Sequence, residues 1–256
     1  MKLTWFGTAT IGIENNRDSI IFDPFFPMNN SLPHPDPERL AVYSNIFVTH
    51  SHFDHLLDVP RLLSAGANRV YCSAEATKVL ISKGIGNELI QTIKPGDHIE
   101  IGSLKIDVFK GAHIKFDLPL IIKTLFSSRT IRHFRNFTKI LRLAKVYPEG
   151  QVLIYKITAG GNDILHLGSL NLDPYEKYPN EPSLLTIPFQ GRSDLNRYTP
   201  QFIEKLKPKR VFLHHFDDTF PPISSCVNTR IFVNRLAAEH PELDVIVPRF
   251  NEPIIV

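Results

Sequence analysis

With 256 residues, 43% of them hydrophobic, the chain has enough apolar side chain for a sizeable core. Its 29 basic residues nearly balance 26 acidic ones, so the net charge of +3 offers no argument for nucleic acid as a partner. Two distant cysteines, Cys72 and Cys226, exclude a disulfide framework and a zinc ribbon. The opening Met1-Lys2-Leu3-Thr4-Trp5 shows no charged-then-apolar leader pattern. No run of about 18 apolar residues occurs, so no membrane span is expected, and a cytoplasmic enzyme is the simplest reading.

Residues 2–6, 11–14 and 19–22 are predicted as short strands, with turns at Gly7-Thr8-Ala9-Thr10 and Asn15-Asn16-Arg17-Asp18. The third ends at Asp23-Pro24, where Asp23 suits a turn cap. Residues 25–37 form a proline-rich loop without periodicity that carries His34 as an ordinary loop residue. A strand predicted at 45–49 then runs into His50-Ser51-His52-Phe53-Asp54-His55. Three histidines and a carboxylate within six positions form a dense set of metal donors, suited to zinc, iron or manganese. Alternation along an extended segment puts His50 and His52 on one face. A turn after them lets Asp54 and His55 point to a second position nearby, a spacing suited to two ions. Leu56, Val59, Leu62 and Leu63 mark a helix over 55–65.

A strand at 70–72 and a helix at 75–83 follow. Strands at 90–93, 97–101 and 104–109 are predicted as an antiparallel set leading to Gly111-Ala112-His113. Residues 115–147 break this rhythm. Lys115, Lys123, Arg129, Arg132, Arg135, Lys139, Arg142 and Lys145 face only one acidic residue, Asp117. Between them Ile131, Phe134, Phe137, Ile140, Leu141 and Ala144 recur at helical spacing, which predicts a basic amphipathic helix or helix pair. Placed directly after His113, it suits a lid that attracts an anionic substrate, or a contact with a membrane surface.

Strands at 151–158 and 164–167 flank the turn Ala159-Gly160-Gly161-Asn162-Asp163, with His166 expected to pack or hydrogen-bond. Gly168-Ser169, Asn171 and Asp173 come next. A strand at 183–188, a helix at 199–206 and a strand at 210–213 lead to His214-His215-Phe216-Asp217-Asp218-Thr219-Phe220. A helix at 227–239 and a strand at 245–248 close the order. Without repeats or linkers to divide it, the chain reads as a single domain over 1–256.

The run His50-x-His52-x-Asp54-His55 resembles the His-x-His-x-Asp-His signature of the metallo-β-lactamase superfamily, and the order of later histidines extends the likeness over most of the chain. The His-aromatic-x-x-Thr-aromatic pattern starting at His215 looks like the ascorbate-phosphate lactonase-like branch. This resemblance implies an α/β fold, a four-layer αββα sandwich with the site at one edge and 115–147 as a helical insertion. It implies that His50, His52 and His113 hold one ion. Asp54, His55 and His215 would hold a second, or orient the attacking water if one ion binds, which makes Asp54 and His215 the expected catalytic residues. Asp23 would stand behind the ligands. Ser169 stands where the superfamily has a metal-bridging aspartate. A serine cannot supply charge to neutralise two adjacent cations, so the second ion is expected to bind weakly.

The implied activity is that of a metal-dependent hydrolase with one or two divalent transition metal ions, zinc first and manganese or iron as alternatives. Such an ion lowers the pKa of its water from about 16 towards 7 and supplies the nucleophile. The expected substrate is a small ester, lactone or phosphodiester of anionic character, with leaving-group protonation by water or His214. The alternative is a non-hydrolytic or degenerate metal-binding member. Ser169 favours that alternative, while the intact first cluster opposes it. Fold alone does not choose the substrate.

Overall fold

The computed structural model describes residues 1–256. Its strands in chain order are β1 (Lys2–Trp5), β2 (Ile11–Asn15), β3 (Asp18–Phe22), β4 (Asn45–Phe47), β5 (Arg69–Cys72), β6 (Ile90–Thr92) and β7 (His98–Ile101). They continue with β8 (Leu104–Lys110), β9 (Leu153–Ala159), β10 (Asn162–Leu167), β11 (Leu184–Pro188), β12 (Arg210–His214), β13 (Asp244–Ile246) and β14 (Pro253–Ile255). Two seven-stranded sheets result, ordered β14-β1-β2-β3-β4-β5-β6 and β13-β12-β11-β10-β9-β8-β7. Each is antiparallel on one side and parallel on the other, with the change at β3 and at β10.

Burial follows from this layering. In β8, Leu104, Ile106 and Val108 point inward and alternate with more exposed residues. The parallel strands are buried on both faces and read as continuous apolar runs, as in Leu184–Pro188. Successive residues of β3 and β4 enter different cores. Ile20, Phe22 and Phe47 join Ile106, Tyr155 and Ile157 between the sheets. Ile21, Ile46 and Val48 instead meet Leu56, Leu62, Ala76 and Leu80 from helices on the outer side. Leu165, Leu185 and Val211 of the second sheet pack on Phe202, Leu206, Phe232 and Leu236 from its own helices. Three stacked cores define four layers, the αββα sandwich that the histidine motif implied.

Several expectations change. β6 pairs in parallel with β5 and not with the antiparallel β7–β8 hairpin. The helix Ala74–Ser82 makes the connection a β-α-β crossover, and the turn around Gly96 then carries the chain to the other sheet. The helix expected over 55–65 is two helices, Phe53–Leu56 and Val59–Ser64. Pro60 has no amide to donate to the preceding turn, so the second helix restarts with proline in its first turn. The helix Pro37–Ala41 and the edge strand β14 were not expected. Both begin with or beside a proline, capped by Asp36 in the first and tolerated at a strand start in the second.

Residues 115–147 contain three helices, Leu118–Leu125, Ser128–Arg132 and Phe134–Val146, where one or two were expected. Asp117 and Ser127 cap the first two by accepting hydrogen bonds from Leu120 N and Thr130 N. The last helix is tied to the outer core through Ile140 and Leu143, followed by Tyr147. No helix is long and apolar enough to cross a membrane.

Candidate metal centre

Six side chains from four places in the chain converge at one edge of the sandwich. His50 and His52 follow β4, Asp54 and His55 lie in the helix Phe53–Leu56, His113 follows β8, and His215 follows β12. The candidate ligand atoms of His50, His52 and His113 all lie within 4.8 Å of one another, and so do those of Asp54, His55 and His215. Ring centroids of His50 and His55 are 3.9 Å apart, so the two groups adjoin. The strand predicted at 45–49 stops at Phe47, and His52 is the residue preceding the helix, with ψ 152°. Strand alternation therefore does not bring His50 and His52 together. The bend between strand and helix does.

A buried hydrogen-bond network aims these rings. Asp23, fully buried, accepts from Thr49 N at 2.7 Å and from Thr49 Oγ1 at 2.6 Å. His55 Nδ1 lies 2.8 Å from Asp23 Oδ2, which leaves His55 Nε2 facing Asp54 Oδ2 at 3.6 Å. With its proton given to Asp23, the Thr49 hydroxyl is free to accept from His50 Nδ1 at 3.1 Å. His113 Nδ1 donates to Ile114 O at 2.8 Å. His215 Nε2 donates to Asp54 Oδ2 at 3.1 Å. For His55 and His113, a carboxylate or carbonyl on Nδ1 leaves Nε2 available to a cation, the arrangement that raises ligand basicity, whereas His215 Nε2 faces Asp54 directly. Gly168, at the end of β10, passes so close to Thr49 that a Cβ there would lie 2.1 Å from Thr49 Cβ.

Charge is distributed unevenly across the two groups. Burial holds His50 well below the ordinary imidazole range, helped by His55, His52 and His113. Burial also lowers His113, and lowers His52 to about 4. These three are therefore neutral at pH 7, the form that ligates. For His55, burial opposes charge, but Asp23 and then Asp54 outweigh it and raise its pKa. Burial pushes the Asp54 carboxyl up, yet His55 and His215 together hold it well below the usual carboxylate range. Ionised Asp54 is thus an acceptor on both oxygens.

This donor set fits a divalent cation. His50 Nε2 and His52 Nδ1 are 3.1 Å apart, and two imidazole nitrogens this close share either a proton or a cation. Tetrahedral coordination with metal–nitrogen bonds near 2.0–2.1 Å sets two nitrogens about 3.3 Å apart. A family model described as a beta-lactamase superfamily domain matches residues 18–216, which contain all six side chains. The chain belongs to the beta-lactamase superfamily. A UPF0173 protein of Pyrococcus furiosus is 22% identical to this superfamily member over 218 residues, 84% of this chain and 83% of that one. A UPF0173 metal-dependent hydrolase of Salinibacter ruber is 37% identical over 102 residues, 39% of this chain. That match spans 43% of the Salinibacter protein, less than half its length. Among solved structures, Igni18, a metallo hydrolase from Ignicoccus hospitalis, superposes with a TM-score of 0.66 over 99% of this chain and 97% of its own. At 17% identity the likeness concerns the fold.

Other candidates of this superfamily member fall elsewhere. His34 is exposed on its loop. His166 is fully buried and hydrogen-bonded to Thr186 Oγ1 at 2.7 Å, as expected of a packing residue. His214, considered as a proton donor, is fully buried and stacked on His166, and it donates to Leu167 O at 3.2 Å. Strand alternation turns it into the core while His215 emerges at the site, so His214 has no path to a substrate. Ser169 Oγ accepts from Ile114 N at 3.0 Å, and Asn171 donates to His113 O at 3.1 Å. Both brace the segment carrying His113. Asp173 pairs with Lys110 at 2.9 Å, so it does not replace the missing aspartate.

Three contributors escaped sequence reasoning. Thr49 links Asp23, His50 and His55, yet as a strand threonine it carries no motif signal. Asp217 is half-buried and accepts from Thr8 N at 2.9 Å. Thr8 and His215 both have positive φ, 48° and 56°, and His215 N donates to Thr8 O at 2.8 Å. Backbone strain in β-branched Thr8 is thus held by bonds from the His215 segment. Glu149 lies 3.9 Å from His113 Nδ1. It lines a polar cleft of about 460 Å³ with Glu75, His113, Lys115, Gln151 and Asn171.

Proposed function

We propose that the chain is a metal-dependent hydrolase that uses His50, His52 and His113 for one divalent ion and Asp54, His55 and His215 for a second. The observation that carries this reading is the pair of adjoining donor groups, each within 4.8 Å, opening beside the polar cleft. Imidazole-rich donors with one carboxylate favour zinc, with manganese or iron as alternatives. Bound there, a divalent ion supplies Lewis-acid polarisation and lowers the pKa of water.

The chain's own groups do the rest. Asp23 and Thr49 hold His55 and His50 in one orientation, so the donors need no rearrangement when substrate arrives. Ionised Asp54, steadied by His215, would ligate the second ion or, with one ion bound, orient the attacking water by accepting its hydrogen bond. Lys115, at the cleft mouth, offers a cation to an anionic group. Glu75 and Glu149 on the same walls restrict where that group can lie. The substrate class is a small ester, lactone or phosphodiester with anionic character.

Elemental analysis of purified protein, followed by a panel of esters, lactones and phosphodiesters with and without chelator, tests this. The expected result is chelator-sensitive turnover in one class. Stoichiometric metal with no turnover across the panel would favour a metal-binding member without hydrolytic activity, the reading to which Ser169 lends support.

A further inference from the structure

The helix Leu118–Leu125 buries none of its residues. Leu118, Ile121, Ile122 and Leu125 nonetheless recur at the spacing that makes one helical face. All four are exposed, and no core lies beneath them. Phe126, Ile131 and Phe134, in the segment that follows, are also exposed, at 85%, 80% and 61%. A protein surface rarely leaves so many large apolar side chains, this close in sequence, exposed without a partner.

The charge around this face says what the partner is. Eight of the 29 basic residues and one of the 26 acidic ones lie between residues 115 and 147, so the rest of the chain carries 21 basic against 25 acidic. Of these eight, only Arg129 forms an ion pair, with Asp218. Lys123, Arg132, Arg135 and Arg142 are exposed among the apolar residues and form no ion pair. A second copy seated on this face would bring like charge against like charge. A bilayer with anionic headgroups matches both features, taking the apolar side chains at its acyl boundary and pairing the cations above. The helices are too short to cross it and would lie in its plane.

Two anchors fix this face to the enzyme body. Asp117 binds Ser193 N at 3.1 Å, and Ile140 is buried in the outer core. Phe116 stands 5.9 Å from the His113 ring, so the apolar surface begins at the edge of the donor groups. We propose that residues 116–142 are a docking surface for an anionic lipid bilayer, which places the histidine site at the membrane interface. The surface is independent of the assignment of metal ligands and goes beyond the hydrolase reading.

Vesicle cosedimentation of the full chain tests it, using phosphatidylcholine alone and phosphatidylcholine mixed with phosphatidylglycerol. The chain should bind the mixed vesicles about tenfold more tightly, and raised salt should weaken the binding. Phe126→Ser with Ile131→Ser, and separately Arg132→Glu with Arg135→Glu, should each reduce binding about tenfold, with unchanged melting temperature and metal content. Absence of binding to the mixed vesicles would overturn the proposal, as would binding by both variants as tight as that of the unaltered chain. Analytical ultracentrifugation covers the remaining occupant. A concentration-dependent dimer that Phe126→Ser with Ile131→Ser dissolves would assign the face to a second copy and refute the lipid.

Discussion

Around Asp23 the structure buries charge and polar atoms, then satisfies them one by one with Thr49, His55 and His50. Between Leu118 and Phe134, only a few residues beyond His113, it does the reverse and leaves large apolar side chains facing outward. Every buried polar atom of the first region needs a partner or costs free energy, so its geometry is determined from several sides. The second region is held by few inward contacts, chiefly Asp117 on Ser193, Arg129 on Asp218 and, just beyond it, the buried Ile140. Stability is therefore unequal across neighbouring segments. Substitutions should separate function from folding in the first region and surface from anchor in the second.

The largest effect is expected where the donor groups adjoin. His52→Ala combined with His55→Ala removes one donor from each group and should abolish stoichiometric metal binding. Asp23 keeps its two bonds from Thr49 but loses its buried partner His55, so the fold should lose about 3–5 kcal/mol, the cost of breaking a buried charged pair. Elemental analysis beside a circular-dichroism melt checks both points, and full metal content in the double variant would refute the ligand assignment.

A smaller effect contrasts anchor and surface within the insertion. Ile140→Ala should cost about 2–5 kcal/mol, because it empties a buried site in the outer core. Phe126→Ser, at a position 85% exposed, should stay within about 0.5 kcal/mol. Denaturant titrations measure both. Equal costs would mean that the apolar face is packed and that the contrast between the two regions is mistaken.

The smallest effect concerns Ser169. In the unaltered protein one ion should be held more weakly than the other, since no bridging carboxylate neutralises the pair. Ser169→Asp should raise the bound metal by at most one equivalent per chain, read by titration against a chelator. Two ions held with equal affinity before the substitution would count against this role.

Most of the fold was legible because its strands are short, apolar and separated by turns, as at Asn15-Asn16 and Gly160-Gly161. Prolines misled where position mattered more than presence. Pro60 divided one expected helix, whereas Pro37 and Pro253 began elements that residue patterns did not suggest. Strand partners were not legible. Nothing in Ile90–Thr92 distinguishes a parallel partner of β5 from a member of the β7–β8 hairpin, since pairing depends on which sheet edge the chain reaches. At the site, the spacing of His50, His52, Asp54 and His55 announced itself, because four donors so close in sequence remain close in space whatever the tertiary fold.

The sequence by itself determined the donor types, the local cluster and the basic, apolar character of residues 115–147. These are properties of composition and near-neighbour spacing. Tertiary structure decided that His113 and His215 arrive at that cluster, that Asp23 and Thr49 aim its rings, and that His214 turns into the core. It also decided that the stripe from Leu118 to Leu125 meets no core. Those outcomes depend on which strand ends share an edge of the sandwich and which helix faces find a partner, and long-range packing alone settles them.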